Sequence, residues 1–352
     1  MKEAKSNMSK IVLKVLGIIF IVIAAAVFIL EITRGIRFGH EKRTNVSHNP
    51  QSQNWMAAIP DDTPLSMITI PGTHDSATQN IFPSYFLKCQ SSSIKKQMEN
   101  GYRYLDMRLA LYPQRNGDTT LHYIHAFGNC KMDSRLFQAR ELLIGHVLSD
   151  IYLFLASHPS ETIIFCVKAE NSNDDIDDFS AVLKKHIAKG EQFWYTQNRI
   201  PTLGEVRGKI VLCSRFTKQE GFGITLNWSE QNNKEIIEDP VEVNEINTSS
   251  YYEYPTVLYV QDRYKYWSDE KFEAFEDLLN RTEGLVSPDS LCLNFTSTSG
   301  GGTLSHPVEY AKKINPRLLK TKIPEHAGII IVDFATEQIA QHIWESNIKD
   351  KS

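Results

Sequence analysis

Histidines, carboxylates and cations recur at the ends of short apolar runs along this chain: His74-Asp75, Arg108, His125, Lys168 with Glu170, Arg215, Asp262 with Tyr264, and Asp333. Any one of them reads as an ordinary surface charge. Together they supply two imidazoles with carboxylates to orient them, and imidazole takes and gives protons near neutral pH. Two arginines and a lysine add permanent positive charge, and a guanidinium can grip two phosphate oxygens at once. A general base, a general acid and a phosphate clamp are the parts that phosphodiester cleavage needs. The competing use of His, Asp and Glu is a metal site. Arg108 and Lys168 argue against it, because both would hold positive charge beside the cation. Cys89, Cys130, Cys166, Cys213 and Cys292 form no Cys-x-x-Cys pair for zinc. Cys166 and Cys213 sit in apolar runs as small hydrophobes, whereas Cys89 and Cys130 lie in loop-like stretches and can pair if the compartment is oxidising.

To gather these side chains, the chain needs elements whose ends converge. Beyond residue 55, eight apolar runs of strand length occur, at 66–70, 104–110, 121–125, 162–167, 209–213, 256–260, 291–295 and 329–332. Stretches with helical period accompany them at 136–156, 177–189, 270–280 and 337–348. Alternating strand and helix argues for a parallel sheet. Eight such strands in about 300 residues argue for an α/β fold of the (β/α)8 barrel type, whose strand carboxyl ends meet on one face. One link is too short: only residues 111–120, with an Asn116-Gly117-Asp118 turn, join the second and third strands. A parallel crossover takes a dozen or more residues, so the barrel is expected to be irregular there.

The 352 residues carry 38 Lys and Arg against 42 Asp and Glu, a net charge of −4, which gives no basis for nucleic-acid binding. A hydrophobic share of 41% with 23% charged excludes a disordered or fibrous chain. After a basic segment at 1–10, residues 11–32 are expected to form a transmembrane or signal-anchor helix, since the uncharged run 15–30 with its flanks approaches the about 20 residues a bilayer needs. Ala24, Ala25 and Ala26 are followed by four large apolar residues, a poor setting for signal cleavage, so a retained anchor is favoured over secretion. Positive residues flank the run on both sides, and the expected extracytoplasmic placement of the body does not come from them. Residues 33–54, polar and containing Pro50, read as a linker, and 55–352 as one body.

The segments WMAAIPDDTPLSMITIPGTHDS, GYRYLDMRL, HPSETIIFCVKAE, RGKIVLCSRF, YVQDRYKY, LNFTSTSGGGT and IIIVDF follow one another in this order. They closely resemble the secreted bacterial type of phosphatidylinositol-specific phospholipase C, of the X-domain family, over residues 55–348. The resemblance implies an irregular (β/α)8 barrel and a lyase without metal or cofactor, cleaving phosphatidylinositol to diacylglycerol and inositol 1,2-cyclic phosphate. By the same resemblance His74 is the general base, oriented by Asp333, and His125 is the general acid, with Asp75 as its partner. Arg108 holds the phosphate, and Lys168, Glu170, Arg215, Asp262 and Tyr264 contact the inositol ring. The expected partners are phosphatidylinositol or its glycosylated form and a membrane surface, with no nucleic acid and a monomeric state. The alternative is a catalytically silent barrel that binds an inositol lipid or glycan headgroup.

One departure bears on the acid. The family follows this histidine with glycine, whereas here the stretch reads LHYIHAFGNC, and His122 becomes a rival. The two histidines are three residues apart and so point to opposite faces of a strand. His125, nearer the carboxyl end, takes the role. Ile81, Phe82, Tyr85 and Phe86 lie where a helix of the family touches lipid, with core packing an equal reading, and Tyr251, Tyr252, Tyr254, Tyr266 and Trp267 raise the same alternatives.

Overall fold

The computed structural model of the chain describes residues 2–30, 49–135, 138–217, 219–246, 256–302 and 306–348. Residues 33–48 of the expected linker, and Tyr251, Tyr252 and Tyr254, lie outside the described residues. Near the amino terminus a helix, α1 (Lys2–Leu30), contains the stretch Ile11–Ile29, long and apolar enough to cross a membrane.

The body is built on β1 (Ile70–Thr73), β2 (Tyr104–Pro113), β3 (Thr119–His125), β4 (Gly128–Asn129), β5 (Ile163–Ala169), β6 (Trp194–Tyr195), β7 (Ile210–Ser214), β8 (Ile224–Thr225), β9 (Glu242–Ile246), β10 (Thr256–Gln261), β11 (Ser290–Phe295) and β12 (Ile329–Val332). A parallel series runs β7-β5-β2-β1-β12-β11-β10, with the short β6 and β8 parallel to β7 and β9 antiparallel on β10. This is an irregular (β/α)8 barrel. Among the described residues no ladder joins β8 to β9, so the wall has a seam there.

Strand alternation divides the apolar side chains. Tyr104, Ile164, Cys166, Val211 and Cys213 join one buried cluster, while Leu105, Met107, Phe165, Val167 and Leu212 join the other with α4 (Ile144–Ser157) and α5 (Ile176–Ala188). The remaining helices are the short α2 (Ser84–Leu87) and α3 (Ile94–Glu99) before them, then α6 (Leu203–Val206), α7 (Ser268–Leu285), α8 (Pro307–Leu318) and α9 (Glu337–Trp344).

Three expectations change. The first strand is Ile70–Thr73, and Leu65–Met67 is a 3-10 turn. Gly72 lets β1 approach β2: a Cβ there would stand 2.9 Å from the Tyr104 ring. The third run is no barrel strand. β3 folds back antiparallel on the extension of β2, pairing Leu109 with Tyr123 and Pro113 with Thr119, as the short 111–120 link requires. The helix expected from 136 begins at Ile144, because isolated bridges Lys131↔Glu141 and His122↔Leu143 keep the preceding chain extended. Residues just before 55 also pack against the body. Ser52 is fully buried, and Arg103 Nη2 donates to the carbonyls of Ser52 (3.1 Å) and Gln53 (3.0 Å). Cys89 and Cys130 do not pair; both are buried free thiols.

Candidate active site

Strand register assembles the site. Thr73 of β1 pairs with Val332 of β12, so the next residues, His74 and Asp333, adjoin, and His74 Nδ1 lies 2.8 Å from Asp333 Oδ1. Arg108 of β2 pairs with Lys168 of β5, and Arg215 follows the end of β7 with its N–H on the Val167 carbonyl (2.8 Å). His125 arrives differently. β2 overshoots the barrel rim and β3 returns antiparallel beside it, from Pro113↔Thr119 back to Leu109↔Tyr123, which brings the end of β3 to the rim near Arg108. Its Nδ1 is 2.7 Å from the Leu87 carbonyl at the end of α2.

Asp75 is the centre. Its Oδ2 lies 3.3 Å from His74 Nε2 and 3.2 Å from His125 Nε2, and its Oδ1 lies 2.8 Å from Arg108 Nε. Arg108 also reaches Asp106 Oδ2 (3.2 Å) and Glu170 Oε1 (3.5 Å), and Nη2 stands 3.0 Å from His74 Nε2, a hydrogen bond open only to the neutral ring. Burial opposes a charge on His74, but the Asp75 and Asp333 carboxylates outweigh it and push the imidazole up to about 9. Burial pushes Asp333 upward, against the pull of the His74 cation. Glu170 is held low against its burial by Arg108 and Lys168.

A cavity of about 330 Å³ opens over these groups, lined by His74, Arg108, His125, Lys168, Glu170, Arg215, Asp262, Tyr264 and Asp333. Asp75 lies beneath it, almost fully buried. All ten residues singled out from the sequence therefore meet in one place. A larger hollow of about 570 Å³ between Trp55 and Trp344 contains none of them. His122 points away, buried near Glu141 and 4.9 Å in ring separation from Tyr112, and burial lowers its pKa.

Of the five non-glycine residues with positive φ among those described, three directly follow the central side chains or belong to them: Asp75 (43°) after His74, Ala126 (50°) after His125, and Phe334 (49°) after Asp333. Such backbone costs roughly 1–2 kcal/mol per residue and clusters where geometry is overdetermined by the surroundings.

The sequence did not single out several residues of the site. Asp106, fully buried, accepts the Asp75 N–H (3.2 Å) and sits between Arg108 and Arg215; its position two before Arg108, on the same strand face, was the available signal. Gln90 stitches β1 to β12, donating to the carbonyls of His74 (2.8 Å) and Val332 (2.9 Å). Cys89 Sγ lies 3.9 Å from Asp75 Oδ2 and 4.0 Å from His125 Nδ1. Two trios, His74-Cys89-Asp333 and Asp75-Cys89-His125, bring potential ligand atoms within 4.8 Å of one another. They suit a divalent cation poorly: burial and the carboxylates keep the Cys89 thiol protonated, and Arg108 already holds Asp75.

No family model matches the chain. The 1-phosphatidylinositol phosphodiesterase of Staphylococcus aureus (strain Newman) is 28% identical over 330 residues, covering 88% of this chain and 98% of that one. The protein of the same name from Listeria monocytogenes is 27% identical, covering 86% and 87%. A solved structure of the Staphylococcus aureus phosphatidylinositol-specific phospholipase C superposes with a TM-score of 0.66 at 26% identity, over 84% of this chain and 97% of that one. The Listeria monocytogenes enzyme gives 0.62 at 25%, over 84% and 98%. This chain is a relative of the bacterial phosphatidylinositol-specific phospholipases C.

Proposed function

We propose that this chain is a phosphatidylinositol phosphodiesterase that releases diacylglycerol and inositol 1,2-cyclic phosphate without a metal ion. The observation that carries the reading is the convergence of two imidazoles and one guanidinium on the Asp75 carboxylate, with His74 Nε2, His125 Nε2 and Arg108 Nε all within 3.3 Å of it. His74 takes the proton of the inositol 2-hydroxyl, whose oxygen attacks phosphorus. The bond to the glycerol oxygen breaks, and His125 gives that oxygen a proton. Asp333 holds the Nδ1 side of His74 and so aims Nε2 at the substrate. Arg108 takes up the phosphate charge that develops, the task a cation would otherwise perform. The substrate supplies the nucleophile, so the protein needs none. Lys168, Glu170, Arg215, Asp262 and Tyr264 serve the ring. The barrel acts as a monomer at a membrane surface, on phosphatidylinositol or its glycosylated form.

The test is release of inositol phosphate from lipid vesicles in excess chelator. Activity is expected to persist, and His74→Ala and His125→Ala each to lower turnover by at least ~10²–10⁴-fold with vesicle binding little changed. Inhibition reversed by calcium rejects metal independence. A dead His122→Ala beside a normal His125→Ala moves the acid to His122, and vesicle binding without any product favours the silent barrel.

A further inference from the structure

We infer that residues 228–231 form a strap completing the inositol wall, and that Glu230 on it is a specificity-determining residue that accepts a ring hydroxyl and rejects a ring phosphate. The inference rests on the proposed function and adds an element to it. Residues 226–241 carry no helix and run as a loop between β8 and β9, along the seam where no ladder closes the barrel. Of four consecutive residues of this loop, three touch ring-facing residues and one is tied to β9, the neighbour of β10. Trp228 lays its ring 3.5 Å from the Arg215 guanidinium carbon and donates Nε1–H to Asp262 Oδ2 (3.2 Å). Ser229 N–H donates to Glu242 Oε1 on β9 (2.9 Å), fastening the strap to the sheet edge. Glu230 Oε1 is 3.3 Å from Lys168 Nζ, and Oε2 accepts the Tyr264 hydroxyl at 2.9 Å. Gln231 Oε1 accepts the Asp262 N–H at 2.8 Å. The strap thereby orients Arg215, Asp262, Lys168 and Tyr264 at once.

Glu230 is 61% exposed, yet its carboxylate lines the cavity and lies between two ring-facing donors. Neither contact needs that much exposure, so both can be exchanged for substrate at little cost. A ring hydroxyl entering between Lys168 and Tyr264 finds an acceptor in Glu230. A phosphate there meets a carboxylate instead, and the nearest cation is already matched: Lys168 stands 3.4 Å from Glu170 and 3.3 Å from Glu230. Arg108 and Arg215 likewise face Asp106, while Lys265, the remaining cation lining the cavity, bonds Ser299 Oγ at 3.1 Å on the side of residues 299–301. Rejection of a group by like charge and unpaired polar atoms is a stronger discriminator than loss of attraction alone.

The experiment compares kcat and KM on vesicles of phosphatidylinositol and of phosphatidylinositol 4-phosphate for the full chain, Glu230→Gln, and Glu245→Gln on the exposed side of β9 as control. The wild-type chain should prefer the unphosphorylated lipid by about 10²-fold or more, and Glu230→Gln should raise KM for it about 3–10-fold with a smaller change in kcat. The same substitution should improve the ratio of kcat/KM toward the 4-phosphate at least about tenfold, with Glu245→Gln unchanged. An unchanged ratio in Glu230→Gln overturns the inference alone. So does a wild-type chain that accepts both lipids equally, which would assign the ring edge to Lys265 and Lys234 beside residues 299–301. A chain that cleaves neither lipid overturns the proposed function, and this inference with it.

Discussion

His74 is held by the charges that oppose its chemistry. Asp333 and Asp75 favour the imidazolium and push the ring up to about 9, whereas a general base must be neutral and the Arg108 contact needs the bare Nε2. Because the folded pKa exceeds the ordinary value of 6.5, protonation of His74 stabilises the fold below about pH 6.5, and this contribution fades as pH rises through about 9. Catalysis runs the other way, with kcat/KM climbing over the same interval. Asp333→Asn removes one of the two carboxylates. It should lower the His74 pKa and move the acid limb of kcat/KM to lower pH, while turnover at the plateau falls because Nε2 is less well aimed. Titration of the His74 ring by NMR in the substrate-free protein checks the shift directly. An unmoved titration in Asp333→Asn would deny Asp333 this role. At this scale the sequence was informative wherever a side chain ended an apolar run, as with His74, Lys168 and Asp333. Asp106 and Glu230 escaped notice for opposite reasons, the first lying inside a strand and the second in a loop without period, so neither marked an end.

Among the elements, the runs paired through parallel ladders were legible because a buried parallel strand reads as continuous apolar sequence. Where pattern and topology conflict, topology prevailed. β3 has the length and composition of a barrel strand, but ten intervening residues cannot carry a crossover, and it became the return arm of a hairpin. His125 still reaches the mouth, because an antiparallel arm that starts above the rim ends at the rim. The turn that follows is tight. Ala126 sits at φ 50° and its N–H lies 3.3 Å from Glu170 Oε1, while Gly128 packs so closely on Leu87 that a Cβ would stand 2.4 Å from its Cδ1. Leu87 is also the residue whose carbonyl meets His125. At position 126 the resembling family carries glycine, the residue for which positive φ is free of steric cost. Ala126→Gly should therefore stabilise the protein, by about 0.5–1 kcal/mol after the added flexibility of the unfolded chain is counted. Urea unfolding measures it, and a loss of stability would mean that the turn relaxes elsewhere.

For the whole molecule, the question is how an apolar helix and a barrel share one chain. Ile11–Ile29 is long and apolar enough to cross a bilayer and lies near the amino terminus, where a retained anchor and a cleaved signal look alike. A retained anchor keeps the barrel beside its lipid substrate and should resist extraction by high salt and alkaline carbonate. A mature amino terminus between residues 26 and 48, with the protein free in solution, would mean a secreted enzyme. Where the soluble body can be cut is set by Arg103. It is fully buried with Glu161, at 2.8 Å, and its donors are spent on the carbonyls of Met98, Tyr102, Ser52 and Gln53. Asn49 N–H adds a bond to Glu337 Oε1 at 2.9 Å, and Gln53 Oε1 lies 2.9 Å from His158 Nε2. A chain starting at Asn49 keeps all of these; one starting at Trp55 leaves Arg103 Nη2 facing Glu161 without the two carbonyls. Nη2 then keeps Glu161 alone, and the two carbonyl bonds it loses cost about 1–3 kcal/mol. Both chains should be soluble and cleave substrate at low temperature, with the shorter one unfolding first by calorimetry. Equal melting of the two would show that water replaces the lost carbonyls and that residues 49–54 are linker after all.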